Sequence, residues 1–346
     1  MKKLALIDKL IATINSLVAV ILLISFLSYY ISPNTISLIS FIGLSVPILI
    51  IVNLLFVCYW VLKLKRQFLI STIILLIGFQ HINNLYRFKE KKVLLSSDVK
   101  VMSYNVRMFN LYNWIEKEHI DQNIYGFINT KNPDILCIQE FNPTVKLGFE
   151  YPFKFIKVSS KNNRFGHAIF SKFKIIDTGS LNFSNSGNNA IFADIVIHKD
   201  TVRIYNIHLE SLKISPTEDY FNQKNSEKFK IRVEEAFKKQ ANQTSLIIQH
   251  EKKTSYKSII CGDFNNTAFS WIYHQLKKGK KDAFEVAGSG FGKTFDYKYF
   301  PFRIDFILAD NQIEINNFKT FNVKYSDHFP IMARLNFNTQ TDNNEP

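Results

Sequence analysis

A chain of 346 residues, 47% of them apolar and 32 of them Phe, can build a large core and still have segments to spare. Its formal charge is +14, but ten Lys/Arg against two Asp/Glu put +8 in residues 1–96, and 33 against 27 leave only +6 on the rest; that argues against a dense nucleic-acid-binding face. Cys58, Cys137 and Cys261 have no C-x-x-C spacing, which excludes a cysteine zinc cluster and casts all three as small buried hydrophobes.

Residues 10–31 are almost wholly apolar and long enough to cross a bilayer as a helix. A short polar turn at 32–35 precedes a second apolar run at 36–62, interrupted by Pro47 and Asn53, and a third lies near 68–84. Lys2 and Lys3 would suit a signal peptide, but no small-x-small cleavage site follows and further apolar runs do, so residues 1–86 are read as a membrane anchor. Lys2, Lys3, Lys9, Lys63, Lys65 and Arg66 favour the cytoplasmic side. Three spans would then place the remainder outside the cytoplasm, a long translocated domain being partly exempt from the opposing pull of Arg87, Lys89, Lys91 and Lys92. The chain reads as an integral, multi-pass membrane protein, with residues 87–97 as a linker.

From about residue 98 the pattern changes to that of a sheet protein. Residues 99–104 alternate as a strand, 116–129 carry helical spacing, and 135–138 form a buried strand ending in Gln139 and Glu140. Short strands follow at 166–171, 190–197 and 202–206, then a polar loop at 212–226 and an amphipathic helix from 229 to about 249. The apolar run at 259–261 ends at Gly262 and the polar trio Asp263, Asn265 and Asn266. A glycine-rich stretch at 288–294 lacks dinucleotide-binding spacing and reads as a flexible turn. Strands at 303–308 and 331–337 complete the domain, and the end of the chain is a polar tail.

Asn105, Glu140, Asp263, Asn265 and Asp305 each follow or sit in an apolar strand-like run, and Asp327 and His328 precede one. An oxygen-rich set without cysteine suits Mg²⁺, with Mn²⁺ as substitute. Glu140 is costly to bury without a cation, and Asp305, between Ile304 and Phe306, needs a donor such as a histidine ring. His328 can handle a proton or a charged phosphorane. Thr294 and Arg107 are candidate phosphate contacts, and Arg303 is a rival partner for Asp305. His81, His119, His167, His198, His250 and His274 have no comparable setting.

The segments SYNVR (103–107), IQE (138–140), NIHL (206–209), GDFN (262–265), RIDF (303–306) and SDH (326–328), in this order, resemble the endonuclease/exonuclease/phosphatase superfamily, whose fold is that of DNase I. The resemblance covers nearly all of residues 98–337. It implies an α+β fold, a four-layer αββα sandwich of two mixed β-sheets, here preceded by two or three transmembrane helices. It also implies roles: Glu140, Asn105 and Asp327 as the metal-binding set, Asp263 and Asn265 as the pair that orients the nucleophile, and His328 with Asp305 as the catalytic histidine pair. His208 resembles the second, phosphate-contacting histidine of the DNase- and sphingomyelinase-like branches, although no carboxylate that would orient it is evident.

The expectation is a membrane-anchored, Mg²⁺-dependent phosphoesterase in which water attacks phosphorus in line, with the catalytic domain at 98–338. Its partners would be a phosphate-ester substrate (a phospholipid headgroup, a small phosphodiester or nucleic acid) and membrane lipid, with no obligate protein partner evident. A tethered nuclease of the same fold and a non-catalytic membrane-bound binding protein are the alternatives. The rim near 142–165, 179–189 and 210–226 should choose the substrate.

Overall fold

A computed structural model describes residues 5–145, 148–158, 165–213, 223–297 and 300–337. The polar tail and parts of the rim at 142–165 and 210–226 lie outside the described residues.

The apolar runs fold as helices. The first is α1 (Leu6–Ser25), continued by a 3₁₀ turn at Phe26–Tyr29. The second run is broken into α2 (Ser37–Leu44) and α3 (Val46–Leu62), bent by 53°, and the third into α4 (Phe68–Ile77) and α5 (Phe79–Leu85), bent by 77°. By length and composition the stretch Leu6–Tyr29 can cross a membrane, and up to three crossings result if each bent pair is one span. Pro47 lies in the first turn of α3, where its missing N–H is no loss, so it begins a helix and does not kink one. Gly78 marks the second bend: a Cβ there would lie 2.2 Å from the Phe26 ring, so only glycine lets the two segments approach.

Polar side chains clasp these helices from within. Asn15 Nδ2 donates to Ser71 Oγ (3.0 Å), Ser71 Oγ to Asn53 Oδ1 (2.8 Å), and Trp60 Nε1 to Asn15 Oδ1 (3.1 Å). Asn53 is therefore a fully buried bundle contact. Leu10, Leu17, Leu55 and Leu76 stay exposed around the outside of these helices. Cys58 is exposed on α3, whereas the sequence pattern casts it as buried; it faces the same apolar exterior.

The rest of the chain forms two six-stranded mixed sheets. The strands and helices, in chain order, are β1 (Val99–Asn105), α6 (Ile120–Lys131), β2 (Ile135–Phe141), β3 (Phe153–Val158), β4 (Gly166–Ser171), β5 (Ile175–Ser180), β6 (Ala190–Ile197) and β7 (Asp200–His208). They continue with α7 (Gln223–Glu251), β8 (Lys257–Asp263), α8 (Trp271–Lys277), β9 (Lys280–Asp282), α9 (Ala283–Ala287), β10 (Asp305–Asp310), β11 (Glu314–Thr320) and β12 (Ile331–Asn336). One sheet has the order β11-β12-β1-β2-β4-β3, the other β5-β6-β7-β8-β10-β9. Each has one parallel pair, β1–β2 and β7–β8, and α6 and α7 are the crossovers that a parallel pair requires.

Alternation along the strands builds the layers. Val99, Val101, Ile135, Cys137, Ile204, Ile259, Cys261 and Ile307 pack between the sheets. Met102, Tyr104, Leu136 and Ile138 meet Ile120, Ile124 and Ile128 of α6, while Tyr205, Ile260 and Phe306 meet Ala241 of α7 and Tyr273 of α8. This is the four-layer sandwich that the motif order implies.

Residues after the bundle are held against this domain. Lys91 Nζ donates to the Ile315 carbonyl (2.8 Å), and Arg87 exchanges two backbone hydrogen bonds of 2.9 Å with Gly290, so the glycine-rich stretch is a paired loop and not a free turn. The buried Asp98 carboxylate accepts from Asn316 Nδ2 (2.8 Å), the Leu95 N–H (2.9 Å) and Arg334 Nε (3.2 Å). Burial alone would raise this carboxyl; the donors from Asn316, Leu95, Arg334 and Asn336 outweigh it and hold it below its ordinary value. Asp98→Asn should cost about 1–3 kcal/mol at neutral pH, because the amide presents N–H to donors. A depressed folded pKa stabilises above the unfolded value of about 3.9 and ceases to do so as pH falls through the folded value. Thermal melts should therefore show a gap between the two proteins that closes below about pH 4; a gap independent of pH would refute the assignment.

Candidate functional site

The inward rows of the central strands are apolar along most of their length and turn polar at one end. In β1 the row runs Val99, Val101, Ser103, Asn105; in β2 Ile135, Cys137, Gln139; in β7 Val202, Ile204, Asn206, His208; in β8 Ile259, Cys261, Asp263. In the antiparallel β10 it runs the other way, Asp305 then Ile307. Period-two geometry therefore stacks these polar ends at one mouth of the sandwich. Beneath them Gln139 Nε2 donates to Ser103 Oγ (3.1 Å) and Asn206 Oδ1 (2.7 Å), and Asn206 Nδ2 donates to the carbonyls of Ile138 and Ala168 (2.9 Å each).

Two local devices aim the side chains. Strict alternation would send Glu140 to the α6 side with Ile138. A register shift between Gln139 and Phe141, with Glu140 at φ 52°, turns it to the mouth. Gly262 has φ 137°, and a Cβ there would lie 2.0 Å from the Ile207 carbonyl oxygen, so glycine alone lets β8 run this close to β7 with Asp263 beside His208.

The Asp263 carboxylate is the focus. Its Oδ2 lies 3.1 Å from Asn105 Nδ2, 3.4 Å from Asn265 Nδ2, 3.4 Å from His208 Nε2 and 3.6 Å from His328 Nε2, the last a charge contact too long for a hydrogen bond. Its Oδ1 accepts the Asn265 N–H at 2.8 Å. His328 Nδ1 lies 2.9 Å from Asp305 Oδ2. Asn105 Nδ2 also reaches Glu140 Oε1 at 3.4 Å, and Ser326 Oγ ties the next segment in by donating to the Asn105 carbonyl at 2.8 Å. Asp327 faces Arg107, with Nε 3.3 Å from Oδ2.

Burial works against charge throughout the cluster. It would push the His328 ring down, but the Asp305 and Asp263 carboxylates outweigh it and hold the ring well above its ordinary value. Burial pushes Asp263 up, to about 7, with Asp305 adding and His328 opposing. Burial and then the neighbouring Asp327 charge raise Glu140. Burial, reinforced by His167 and His328, holds His208 far below its ordinary value, so that ring is neutral. Such a mouth is short of positive charge and rich in hard oxygen donors, which fits a divalent cation at Glu140, Asn105 and Asp327. Among the described residues, Asp263, Asp305 and His328 also bring ligand atoms within 4.8 Å of one another; the Asp305–His328 hydrogen bond occupies Nδ1 there and leaves Nε2 as that ring's free nitrogen.

All eight candidate residues thus gather at one mouth, while several companions separate from them. Asn266 turns away to donate to Gln240 Oε1 at 2.8 Å. Thr294 is fully buried, and its hydroxyl accepts the N–H groups of Ile304 (2.9 Å) and Asp305 (3.0 Å), which fixes the backbone under Asp305 and leaves no phosphate contact. Arg303 pairs with Asp282 at 2.6 Å, so it does not compete for Asp305. No carboxylate faces His208 Nδ1, which has no partner among the described residues. Its neighbour is the ring of His167, 6.0 Å away and fully enclosed, with an equally unpartnered Nε2. His167 has no motif of its own; only the register that sets it opposite Gln139 reveals its place.

Residues 8–85 match a domain of unknown function, and residues 102–328 match the endonuclease/exonuclease/phosphatase family. No curated protein matches the chain. Among solved structures, the endonuclease/exonuclease/phosphatase from Bacteroides vulgatus is 19% identical over 69% of this chain and 99% of that one, with a TM-score of 0.54. The human nocturnin catalytic domain with bound sulfate is 17% identical over 74% and 98%, TM-score 0.53. A mannosyl-6-phosphatase from Bacteroides thetaiotaomicron is 17% identical over 68% and 99%, TM-score 0.51. Identities this low speak to the fold alone. The sequence match, however, runs from β1 through His328 and takes in well over half of the residues: the chain belongs to the endonuclease/exonuclease/phosphatase family.

Proposed function

We propose that this protein is a membrane-anchored, Mg²⁺-dependent phosphoesterase, with Mn²⁺ as a substitute. The observation that carries the reading is the convergence of Asn105, Asn265, His208 and His328 on the single Asp263 carboxylate. Glu140, with Asn105 and Asp327, would hold the cation, which when bound neutralises charge on a phosphoryl oxygen. Asp263 accepts a proton from the attacking water, and Asn265 fixes that carboxylate through its backbone N–H. His328, oriented and kept positive by Asp305, stabilises the charge that builds on the phosphoryl group. His208, neutral and neighboured by His167, would donate to another phosphoryl oxygen. Water adds to phosphorus as its proton passes to Asp263, the P–O ester bond breaks, and the departing oxygen leaves as the anion, which takes a proton from solvent while Asp263 returns its proton to solvent.

Anchoring is supported by the exposed apolar exterior of α1, α3 and α4. Asp8 near the start of α1 pairs with Lys63 just past the end of α3 at 2.6 Å, so Lys63 and Lys65 share one end of the bundle with the N-terminus. The opposite end carries the catalytic domain, through Ser28 Oγ donating to the Phe269 carbonyl (2.8 Å) and through Tyr29 stacked on His274 at 4.1 Å. Three spans with the Lys-rich end in the cytoplasm place the catalytic domain on the non-cytoplasmic side.

Release of p-nitrophenolate from bis-p-nitrophenyl phosphate should require Mg²⁺ or Mn²⁺, cease with a chelator and return on adding Mg²⁺. Turnover undiminished by the chelator would remove the cation from the scheme.

A further inference from the structure

Beside the mouth is a second hollow of about 230 Å³. Leu44, Leu212, Phe295, Phe302 and Ile304 supply its apolar walls. It is continuous with the catalytic groups at two points. Asn265, which touches Asp263, lines it, and Phe295, which also lines it, places its ring 5.1 Å from that of His328. Among the described residues that line it, Lys213 is the one cation and there is no carboxylate.

One wall comes from the anchor. Leu44 is the last residue of α2, at the 53° break before α3. The break lays α2 against the catalytic domain, with Phe41 edge-on to Phe237 at 5.5 Å and Leu44 beside Leu212. An apolar hollow thus adjoins the candidate phosphoester site, with one of its walls drawn from α2. Its volume falls below the roughly 300–1,000 Å³ of pockets that enclose a whole ligand, so it suits one apolar part of a larger molecule.

We infer that this hollow receives the hydrocarbon chain of a lipid phosphodiester, next to the phosphoryl group that the site cleaves. The inference rests on the phosphoesterase reading and narrows it to amphiphilic substrates drawn from the bilayer. Apolar contact lowers the free energy of the bound lipid by about 0.8 kcal/mol for each CH₂ buried, so a few methylenes suffice for a large preference.

The test uses the full chain in detergent micelles, supplied with Mg²⁺, and two chromogenic diesters that differ only in their second alcohol: methyl p-nitrophenyl phosphate and decyl p-nitrophenyl phosphate. The decyl ester should be cleaved with kcat/KM at least about tenfold higher. Leu44→Trp, at a half-buried position outside the catalytic groups, should fill the hollow and remove most of that preference while leaving the methyl ester unaffected. Equal rates on the two esters, or a Leu44→Trp protein that loses both equally or neither, would overturn the lipid assignment and leave the phosphoesterase reading standing. Failure to cleave either ester, with Mg²⁺ or Mn²⁺, would overturn both.

Discussion

His328→Ala should reduce turnover of bis-p-nitrophenyl phosphate by about 10³-fold or more, and should also lower thermal stability because two buried carboxylates lose their counter-charge. His328 sits between two buried carboxylates, 2.9 Å from Asp305 and 3.6 Å from Asp263, and it is the positive charge of that trio. Without it both carboxylates face each other uncompensated, and Asp263 loses the charge that steadies its ionised form. Glu140→Gln should lose activity to a similar degree by another route: raising Mg²⁺ should recover part of it, whereas His328→Ala should not respond. Full-length protein with intact melting but near-native turnover after His328→Ala would dismiss the assignment. A shared failure of both variants to respond to Mg²⁺ would dissociate Glu140 from the cation.

Arg303→Met should have the largest effect on stability, about 3–5 kcal/mol, read as a fall of roughly 10 °C in the melting midpoint. The guanidinium is almost wholly enclosed, 2.6 Å from Asp282, and lies over the rings of Phe284 and Phe306 at 4.4 and 4.7 Å. Tyr273 donates to the same Asp282 oxygen at 2.7 Å, which is a hydrogen bond but not a counter-charge. Most of the cost is therefore the carboxylate left alone in the core. The double variant Arg303→Met with Asp282→Asn should regain a good part of it, because a buried pair removed together costs far less than one partner removed. If the double variant is as unstable as the single, the loss comes from packing and not from charge.

The central strands were legible because their inward rows switch from Val, Ile and Cys to Asn, Gln, His and Asp at one end. The crossover helices were legible in type but not in length: α7 begins at Gln223, six residues before the apolar spacing at Phe229 starts, because the residues before Phe229 are polar and carry no apolar period. Edge strands left less trace. β3 is only half buried, β5 reads Ile-Ile-Asp-Thr-Gly-Ser, and β11 carries Asn316 and Asn317 at a register shift, so none of them shows a clean alternation. The same limit hid His167, whose importance is purely a matter of which residue lies across from it. His81 owes its burial, and His274 its partial cover, to rings brought from far away, Phe26 at 4.7 Å and Tyr29 at 4.1 Å. Contacts between the N-terminal helices and the sandwich have no period and no motif, and only the folded chain displays them.

The side chains of Gln139, Ser103 and Asn206 cross-bolt the two sheets immediately below the opening. Sliding or spreading the sheets would break several enclosed hydrogen bonds at once, so the gape of the cleft is a fixed dimension of this molecule. Adaptation to differently shaped esters must then come from whatever borders the opening, and changes in the loops or in the break at Ser45 can retune selectivity while the geometry around Asp263 stays put.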